Sequence, residues 1–177
     1  MDTNQTFSRK EFLYRTGLVG AASILAPFSI KALDNMQSQR KIKIGIIGCG
    51  SVSTQYLPHL SKASHVELVS ACDIIPERAR IRAEEYNIPN QYDSIEKMLA
   101  GAPFDLLVNT TDMQEHGRLN KIALEAGKNV WSEKPLATTY AEGKALLDLA
   151  RSKNLRLWGA PAVVNSPTIC LYGTIPN

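Results

Sequence analysis

The sequence is poor in several features that announce a special chemistry. It has three cysteines in 177 residues, Cys49, Cys72 and Cys170. The number is odd and none stands at metal-ligand spacing, which excludes a disulfide framework and gives no metal site. The thiols read as small buried hydrophobes. Charge of one sign is also scarce. Twenty Lys and Arg stand against 17 Asp and Glu, a net charge of +3. Arg9, Lys10, Arg15, Lys31 and Arg40 against Asp2, Glu11 and Asp34 put +2 of it in residues 1–40. The remainder is close to neutral, so nucleic acid is not an expected partner. A long apolar run is missing too. The stretch Leu18–Pro27 falls short of the roughly twenty residues a membrane span needs, so no stable span is expected. There is no internal repeat. What is present is ordinary: 44% hydrophobic and 21% charged residues, enough for one cored domain and an appendage.

The appendage comes first. Ser8-Arg9-Lys10-Glu11-Phe12-Leu13 precedes the Gly/Ala-rich apolar stretch ending at Pro27. A basic region, a short apolar run and a Pro have the layout of an export signal. The hexapeptide is similar to the twin-arginine signal, with Lys10 in place of the second Arg. Residues 1–35 are therefore expected to be an export signal and the start of a linker, and the protein to be periplasmic or exported. If the signal does not function, the protein is cytoplasmic. The alternative is an ordinary amphipathic N-terminal helix.

The folded part opens at Lys41. Ile42–Ile47 is a short β-branched run of the kind buried in a parallel sheet. It breaks at Gly48-Cys49-Gly50 and continues as a helix expected over Val52–Lys62, which Pro58 should kink or end early. Strand, glycine turn and helix begin a nucleotide-binding βαβ unit. Gly48 lets the chain turn tightly, Gly50 lets a pyrophosphate approach, and the helix start offers N–H groups and a positive dipole end. Ser53 fills the third position of the G-x-G-x-x-G/A pattern. The second strand, Val66–Cys72, ends in Asp73, 23 residues after Gly50. That is the distance of the acid that takes the adenosine ribose hydroxyls, and a carboxylate repels a 2′-phosphate. NAD is expected over NADP, although Arg78 blurs the preference. A helix-capping role for Asp73 is the alternative.

The alternation continues to about six strands. A helix from Pro76 to Tyr86 has a charged face (Arg78, Arg82, Glu85) read as solvated. Gln91-Tyr92 is a short strand, and Asp93-Ser94-Ile95-Glu96 has capping-box spacing before a short helix. Leu106–Val108 is a strand ending in Asn109-Thr110-Thr111-Asp112, candidate cofactor contacts because ligands sit at the carboxyl ends of such strands. A helix over Gln114–Glu125, a strand over Asn129–Ser132, a helix over Tyr140–Lys153 with Ala141, Ala145, Leu146 and Leu149 on its apolar face, and a strand over Leu155–Trp158 complete the count. The fold class is α/β, a doubly wound parallel sheet over residues 40–160.

Glu133-Lys134-Pro135 stands at a strand end on the same edge as the glycine turn. A lysine there can hydrogen-bond a substrate hydroxyl and stabilise its alkoxide, with Glu133 orienting the ammonium; the bland reading is a surface loop lysine. With Asp-Ile-x-Pro-Glu-Arg-Ala from Asp73 to Ala79, His116, and Ala-Leu-Glu-Ala-Gly-Lys from Ala123 to Lys128, the order and spacing from Lys41 to Gly159 resemble the Gfo/Idh/MocA oxidoreductases. The resemblance implies a Rossmann NAD(P)-binding fold and carries Lys134 over as the catalytic lysine. It implies cofactor contacts at Gly48, Cys49, Gly50, Ser51, Val52, Asp73, Thr110, Thr111, His116, Glu133 and Lys134, and sugar, inositol or related polyol substrates. Asn109–His116 departs from the family's usual Thr-Pro pair before the His.

The resemblance also implies a second α/β domain carrying substrate contacts and the oligomer interface. Residues 161–177 read as a remnant of the crossing to it, so the second domain is expected to be missing, the chain inactive alone, and a homo-oligomer expected only with that domain. The function expected is hydride transfer between the nicotinamide and a sugar or polyol hydroxyl. The alternatives are a non-catalytic nucleotide-binding regulatory or partner protein, and a glycosidase-like relative that uses bound NAD transiently. Glu133-Lys134-Pro135 speaks against the last.

Overall fold

Strand β1 shows why the sheet forms. Its side chains alternate between two apolar environments, so both faces must be covered. Ile44 and Ile46 face one core cluster, with Leu57, Ala71, Ala79, Ala83, Ile88 and Val108. Ile47 belongs to the other, with Met98, Phe104, Leu107, Leu124, Val130 and Leu146. The computed structural model describes residues 40–160. The export-like segment and residues 161–177 lie outside the described residues.

The elements are β1 (Ile42–Ile47), α1 (Ser53–Leu60), β2 (Val66–Cys72), α2 (Pro76–Tyr86), β3 (Asn90–Tyr92), α3 (Ile95–Ala100), β4 (Leu106–Asn109), α4 (His116–Glu125), β5 (Asn129–Ser132), α5 (Tyr140–Ser152) and β6 (Leu157–Gly159). One six-stranded sheet has the order β3-β2-β1-β4-β5-β6, and every pair is parallel. The apolar residues of α1 and α2 pack in the cluster with Ile44, and those of α3, α4 and α5 in the cluster with Ile47. This is the doubly wound arrangement expected. Strand order reverses between β1 and β4, and a crevice opens there at the carboxyl ends.

Local chemistry explains most boundaries. Pro58 lies inside α1, and the helix ends at Leu60 rather than Lys62. Pro76 occupies the first turn of α2, where its missing N–H costs nothing. Asn87 closes the helix in the left-handed region at φ 54°.

Four expectations need correction. The N-cap of α3 is Ser94, whose oxygen accepts from the Lys97 N–H at 3.3 Å, while Asp93 instead pairs with the Lys97 ammonium at 2.6 Å. Helix α4 begins at His116 rather than Gln114. The buried face of α5 is Leu146 and Ala150, and Ala141 and Ala145 are exposed. Strand β6 starts at Leu157, because Asn154 turns at φ 54° and the Leu155 N–H still caps α5 at Ala150 O, 2.8 Å away.

Candidate functional site

The glycine turn is built by its neighbours. Gly48 has φ +89°, and a Cβ there would lie 2.5 Å from Thr111 N and 2.6 Å from Thr110 C. Only glycine fits. The Thr110 hydroxyl donates to Gly48 O at 2.7 Å, and the Gly48 N–H donates to Cys72 O at 2.9 Å. The turn is thus clamped between the ends of β2 and β4. At Gly50 the opposite holds: a Cβ would meet nothing within 4 Å. That open space in front of the backbone is what a pyrophosphate needs. Helix α1 follows with Val52 as N-cap and no side-chain capping bond, so no side chain competes with a ligand for the helix start. Ser53 is fully buried and its hydroxyl donates to Gly50 O at 2.6 Å. The small residue is there because the helix packs close to the strand.

Asp73 does not cap α2, whose N-cap is Ile75 with no side-chain capping bond. Its carboxylate accepts from the Cys49 N–H at 2.8 Å and from the Ile75 N–H at 2.8 Å, so it ties the β2–α2 corner to the glycine turn. It also lines the cleft in front of that corner with Gly48, Gly50, Ile74 and Arg78. Each carboxylate oxygen keeps a second lone pair for a ribose hydroxyl. Ile74 is 86% exposed beside it, an apolar surface on which a base can lie.

Cys49 is the small buried residue expected and also lines the second recess of the cleft. Its N–H is spent on Asp73, and its side chain is buried with burial pushing the thiol up to about 12. It holds the turn and offers the cleft neither a reactive thiol nor a free N–H. Ser51 and Val52 line the second recess of the cleft together with Gly50, Arg78, Arg82, Thr110, Thr111 and Asp112. Arg82 was read as part of a solvated face; its side chain is only 19% exposed.

At the end of β4 the polar residues divide. Asn109 is fully buried, donates to Asn120 Oδ1 at 2.9 Å and accepts from the Thr111 N–H and hydroxyl. It shapes the loop instead of meeting a ligand. Thr110 is tied to the glycine turn, and Thr111 faces the cleft. His116 is 1% exposed, with Nδ1 2.7 Å from Pro135 O and Nε2 2.9 Å from Thr111 O. Both ring nitrogens are engaged by backbone, so the imidazole braces the Thr111 loop against the loop after β5. It presents no free nitrogen to a cofactor.

That second loop carries Glu133 and Lys134, joined to Pro135 by a cis peptide bond. Glu133 is buried, and one carboxylate oxygen accepts from the Lys134 backbone N–H at 2.8 Å. The other accepts from the Tyr56 hydroxyl, whose pKa is raised by burial and by this carboxylate. Glu133 therefore fixes the backbone of Lys134 and leaves its ammonium alone, contrary to the orienting role expected. The Lys134 side chain is exposed and has no hydrogen bond or ion pair among the described residues. Tyr56 also packs edge-on against Trp131, with ring centroids 4.6 Å apart. Sequence reasoning passed over it; it lies 77 residues from its carboxylate partner.

The predicted residues thus form two groups on one sheet edge. The glycine turn, Asp73, Arg78, Thr110 and Thr111 line the cleft at β1, β2 and β4. His116, Glu133 and Lys134 are absent from that lining; Glu133 and Lys134 follow the next strand, β5, and His116, at the start of α4, contacts their loop through Pro135 O. Adjacent strands are about 4.8 Å apart, so β2, which carries Asp73, and β5, which carries Lys134, are three spacings or about 14 Å apart in the sheet order.

A family model described as an oxidoreductase family with an NAD-binding Rossmann fold matches residues 42–160. Inositol 2-dehydrogenase of Salmonella typhimurium strain LT2 is 29% identical over 118 residues, which cover 66% of this chain and 35% of the relative. A dTDP-3,4-didehydro-2,6-dideoxy-alpha-D-glucose 3-reductase of Streptomyces violaceoruber is 30% identical over 122 residues, 68% of this chain and 35% of the relative. The matched part spans about a third of those relatives. Among solved structures, the WlbA dehydrogenase from Bordetella pertussis, in complex with NADH and UDP-GlcNAcA, superposes with a TM-score of 0.70 at 29% identity. It covers 75% of this chain and 40% of that one. KijD10, a 3-ketoreductase from Actinomadura kijaniata in complex with NADP, shares the fold at a TM-score of 0.69 and 24% identity, over 75% of this chain and 42% of that one.

Proposed function

Since the chain belongs to the Gfo/Idh/MocA oxidoreductases, we propose that residues 40–160 hold a nicotinamide dinucleotide along the carboxyl edge of the sheet, for hydride transfer at a sugar or polyol hydroxyl. The observation that carries this reading is the pair Gly48 and Gly50: one position closed to any side chain, the next open in front of bare backbone. Gly50 and the start of α1 would hold the pyrophosphate, Asp73 would accept the adenosine ribose hydroxyls, which favours NAD, and the loop after β5 would border the nicotinamide. When bound, the dinucleotide supplies the hydride acceptor.

The chain's own residues do the rest. The Lys134 ammonium, unpaired and at the end of β5, hydrogen-bonds the substrate hydroxyl and stabilises the developing alkoxide. Glu133 and Tyr56 hold the backbone from which that side chain starts. His116 keeps the Thr111 loop and the Lys134 loop in register.

The test is NADH binding by fluorescence to this chain, followed, in a form that carries the second domain, by NADH formation over a panel of inositols and hexoses with Lys134→Ala as control. Saturable binding with formation that falls by about a hundredfold or more in Lys134→Ala supports the reading, general acid–base groups being worth about that much. Binding with no formation on any substrate leaves a nucleotide-binding protein without this chemistry. The reading includes export through the twin-arginine-like segment. Replacing Arg9 and Lys10 by Gln is expected to keep the protein in the cytoplasm of a bacterium that otherwise exports it, as read by cell fractionation.

A further inference from the structure

The two edges of the sheet carry opposite charge. All strands run the same way, so every helix-to-strand connection lies at the amino edge, opposite the glycine turn. Lys62, Lys128, Lys153 and Arg156 stand in those connections, and Lys41 stands just before β1. The acid in the same connections is Asp105, whose carboxylate accepts the Lys43 N–H at 3.0 Å. The strand-to-helix connections at the carboxyl edge hold Asp73, Asp93, Asp112, Glu115 and Glu133 against Lys134. None of the five amino-edge cations takes part in an ion pair among the described residues. Four are exposed and Lys128 is half-buried. The Lys128 and Lys153 ammonium groups donate to Phe104 O at 3.0 Å and Glu125 O at 3.1 Å. Both are thereby held in place, and each keeps two donors for a ligand. The flanking acids are engaged: Glu67 stands opposite Lys43 in the β1–β2 register, and the Glu125 carboxylate lies 3.8 Å from Lys121.

Helix C-termini also lie on this edge and attract cations through their dipoles. That accounts for Lys62, Lys128 and Lys153, which follow α1, α4 and α5. It does not account for Lys41 and Arg156, which stand immediately before β1 and β6. The cations run from β2 to β6, four strand spacings or about 19 Å. Such a broad basic face calls for an extended anionic partner. The aromatic in these connections is Phe104, only 3% exposed, so nucleic-acid bases find no stacking platform. Separated lysine point charges suit a fluid layer of headgroups, whose anions can move to each of them, better than one fixed set of carboxylates. The chain also enters this edge from residues 1–40, which include the apolar stretch 18–27 and the basic Arg9, Lys10, Arg15, Lys31 and Arg40. A short apolar segment joined to a basic patch supplies the two signals that hold a protein on an anionic leaflet without a membrane span.

We propose that the amino edge of the sheet docks on an anionic lipid surface through Lys41, Lys62, Lys128, Lys153 and Arg156. Docked in this way, the acidic carboxyl edge and its cleft face away from the lipid and stay open to solutes. The proposal does not depend on what the cleft binds.

The test is co-sedimentation of the full chain with phosphatidylcholine vesicles, with and without about one-third phosphatidylglycerol. At about 0.1 M salt the anionic vesicles should bind about ten-fold more tightly or better, and about 1 M salt should remove the difference. The combined variant Lys41→Gln, Lys62→Gln and Arg156→Gln should weaken binding to the anionic vesicles by about ten-fold or more. The control removes the same charge from the helix flanks, with Arg80→Gln, Lys97→Gln and Lys144→Gln, and should weaken it by less than about three-fold. Lys41→Arg, Lys62→Arg and Arg156→Lys together keep the charge and should bind like the parent, and urea unfolding of all variants guards against a folding defect. Equal binding to both vesicle types overturns the proposal and assigns the attachment to the apolar stretch alone. Equal losses in the two charge-removing variants overturn it too, as an effect of net charge. Displacement from the anionic vesicles by duplex DNA at equal anion concentration also overturns it, in favour of a nucleic-acid face.

Discussion

The two glycines of the turn sit two residues apart and are constrained in opposite ways. At Gly48 the backbone is left-handed and a Cβ would strike Thr110 and Thr111. At Gly50 the backbone is unobstructed. Gly48→Ala is therefore expected to destabilise the fold by about 2 kcal/mol or more, from the left-handed cost plus the clash. Gly50→Ala should leave stability within about 0.5 kcal/mol, as an unobstructed surface substitution does, and weaken NADH binding by about ten-fold or more by occupying the pyrophosphate's space. Urea denaturation and NADH titration of the two variants separate the effects. The turn was legible in the sequence because its requirement is local: a tight bend after a strand leaves glycine as the fitting residue. The Tyr56–Glu133 contact was not legible. Nothing in either local sequence says that α1 and the end of β5 meet.

Each helix start is a small test of how far local chemistry carries. Asp93 and Ser94 both stand where a cap would, and Asp93 has the capping-box partner Glu96 three residues on. The chain uses Ser94, which is extended at φ −150°, and leaves Asp93 to pair with Lys97. Ser94→Ala is expected to cost about 1 kcal/mol, and Asp93→Ala no more than about 0.5 kcal/mol, as for an exposed i,i+4 pair. Thermal unfolding of both variants checks the order. In α5 the cap is Thr139, whose hydroxyl accepts from the Glu142 N–H at 3.2 Å. The Glu142 carboxylate, however, returns to the Thr138 N–H and hydroxyl rather than to Thr139. The apolar face of α5 was misassigned because four alanine and leucine positions fit a helical stripe. Only docking against α4 decides that Leu146 and Ala150 are the inward pair.

Over the described residues, the glycine turn and the Lys134 loop share one sheet edge because all six strands run the same way. A dinucleotide laid along that edge would touch the turn after β1, the corner after β2 and the loop after β4. It should therefore stabilise the sheet as a unit. NADH at a hundred times its dissociation constant is expected to add about 2.7 kcal/mol and to raise the melting temperature by roughly 10 °C for a domain of this size. Differential scanning fluorimetry of the full chain, with Gly50→Ala as the non-binding control, measures it. A shift confined to Gly50→Ala, or no shift in either protein, would count against the dinucleotide site.

The order of elements, the glycine turn, the acid after β2 and the lysine after β5 were determined by the sequence alone. Each depends on hydrophobic periodicity or on backbone chemistry within a few residues. The tertiary structure decided the roles. It closed both ring nitrogens of His116 on backbone carbonyls, turned Asn109 inward to Asn120, and spent the Cys49 N–H on Asp73. It also took Glu133 away from the Lys134 ammonium and gave it to Tyr56. The physical reason is common to all four. A polar group's role is set by which partner lies within hydrogen-bond reach, and in a parallel sheet those partners come from strands and loops far apart in the chain.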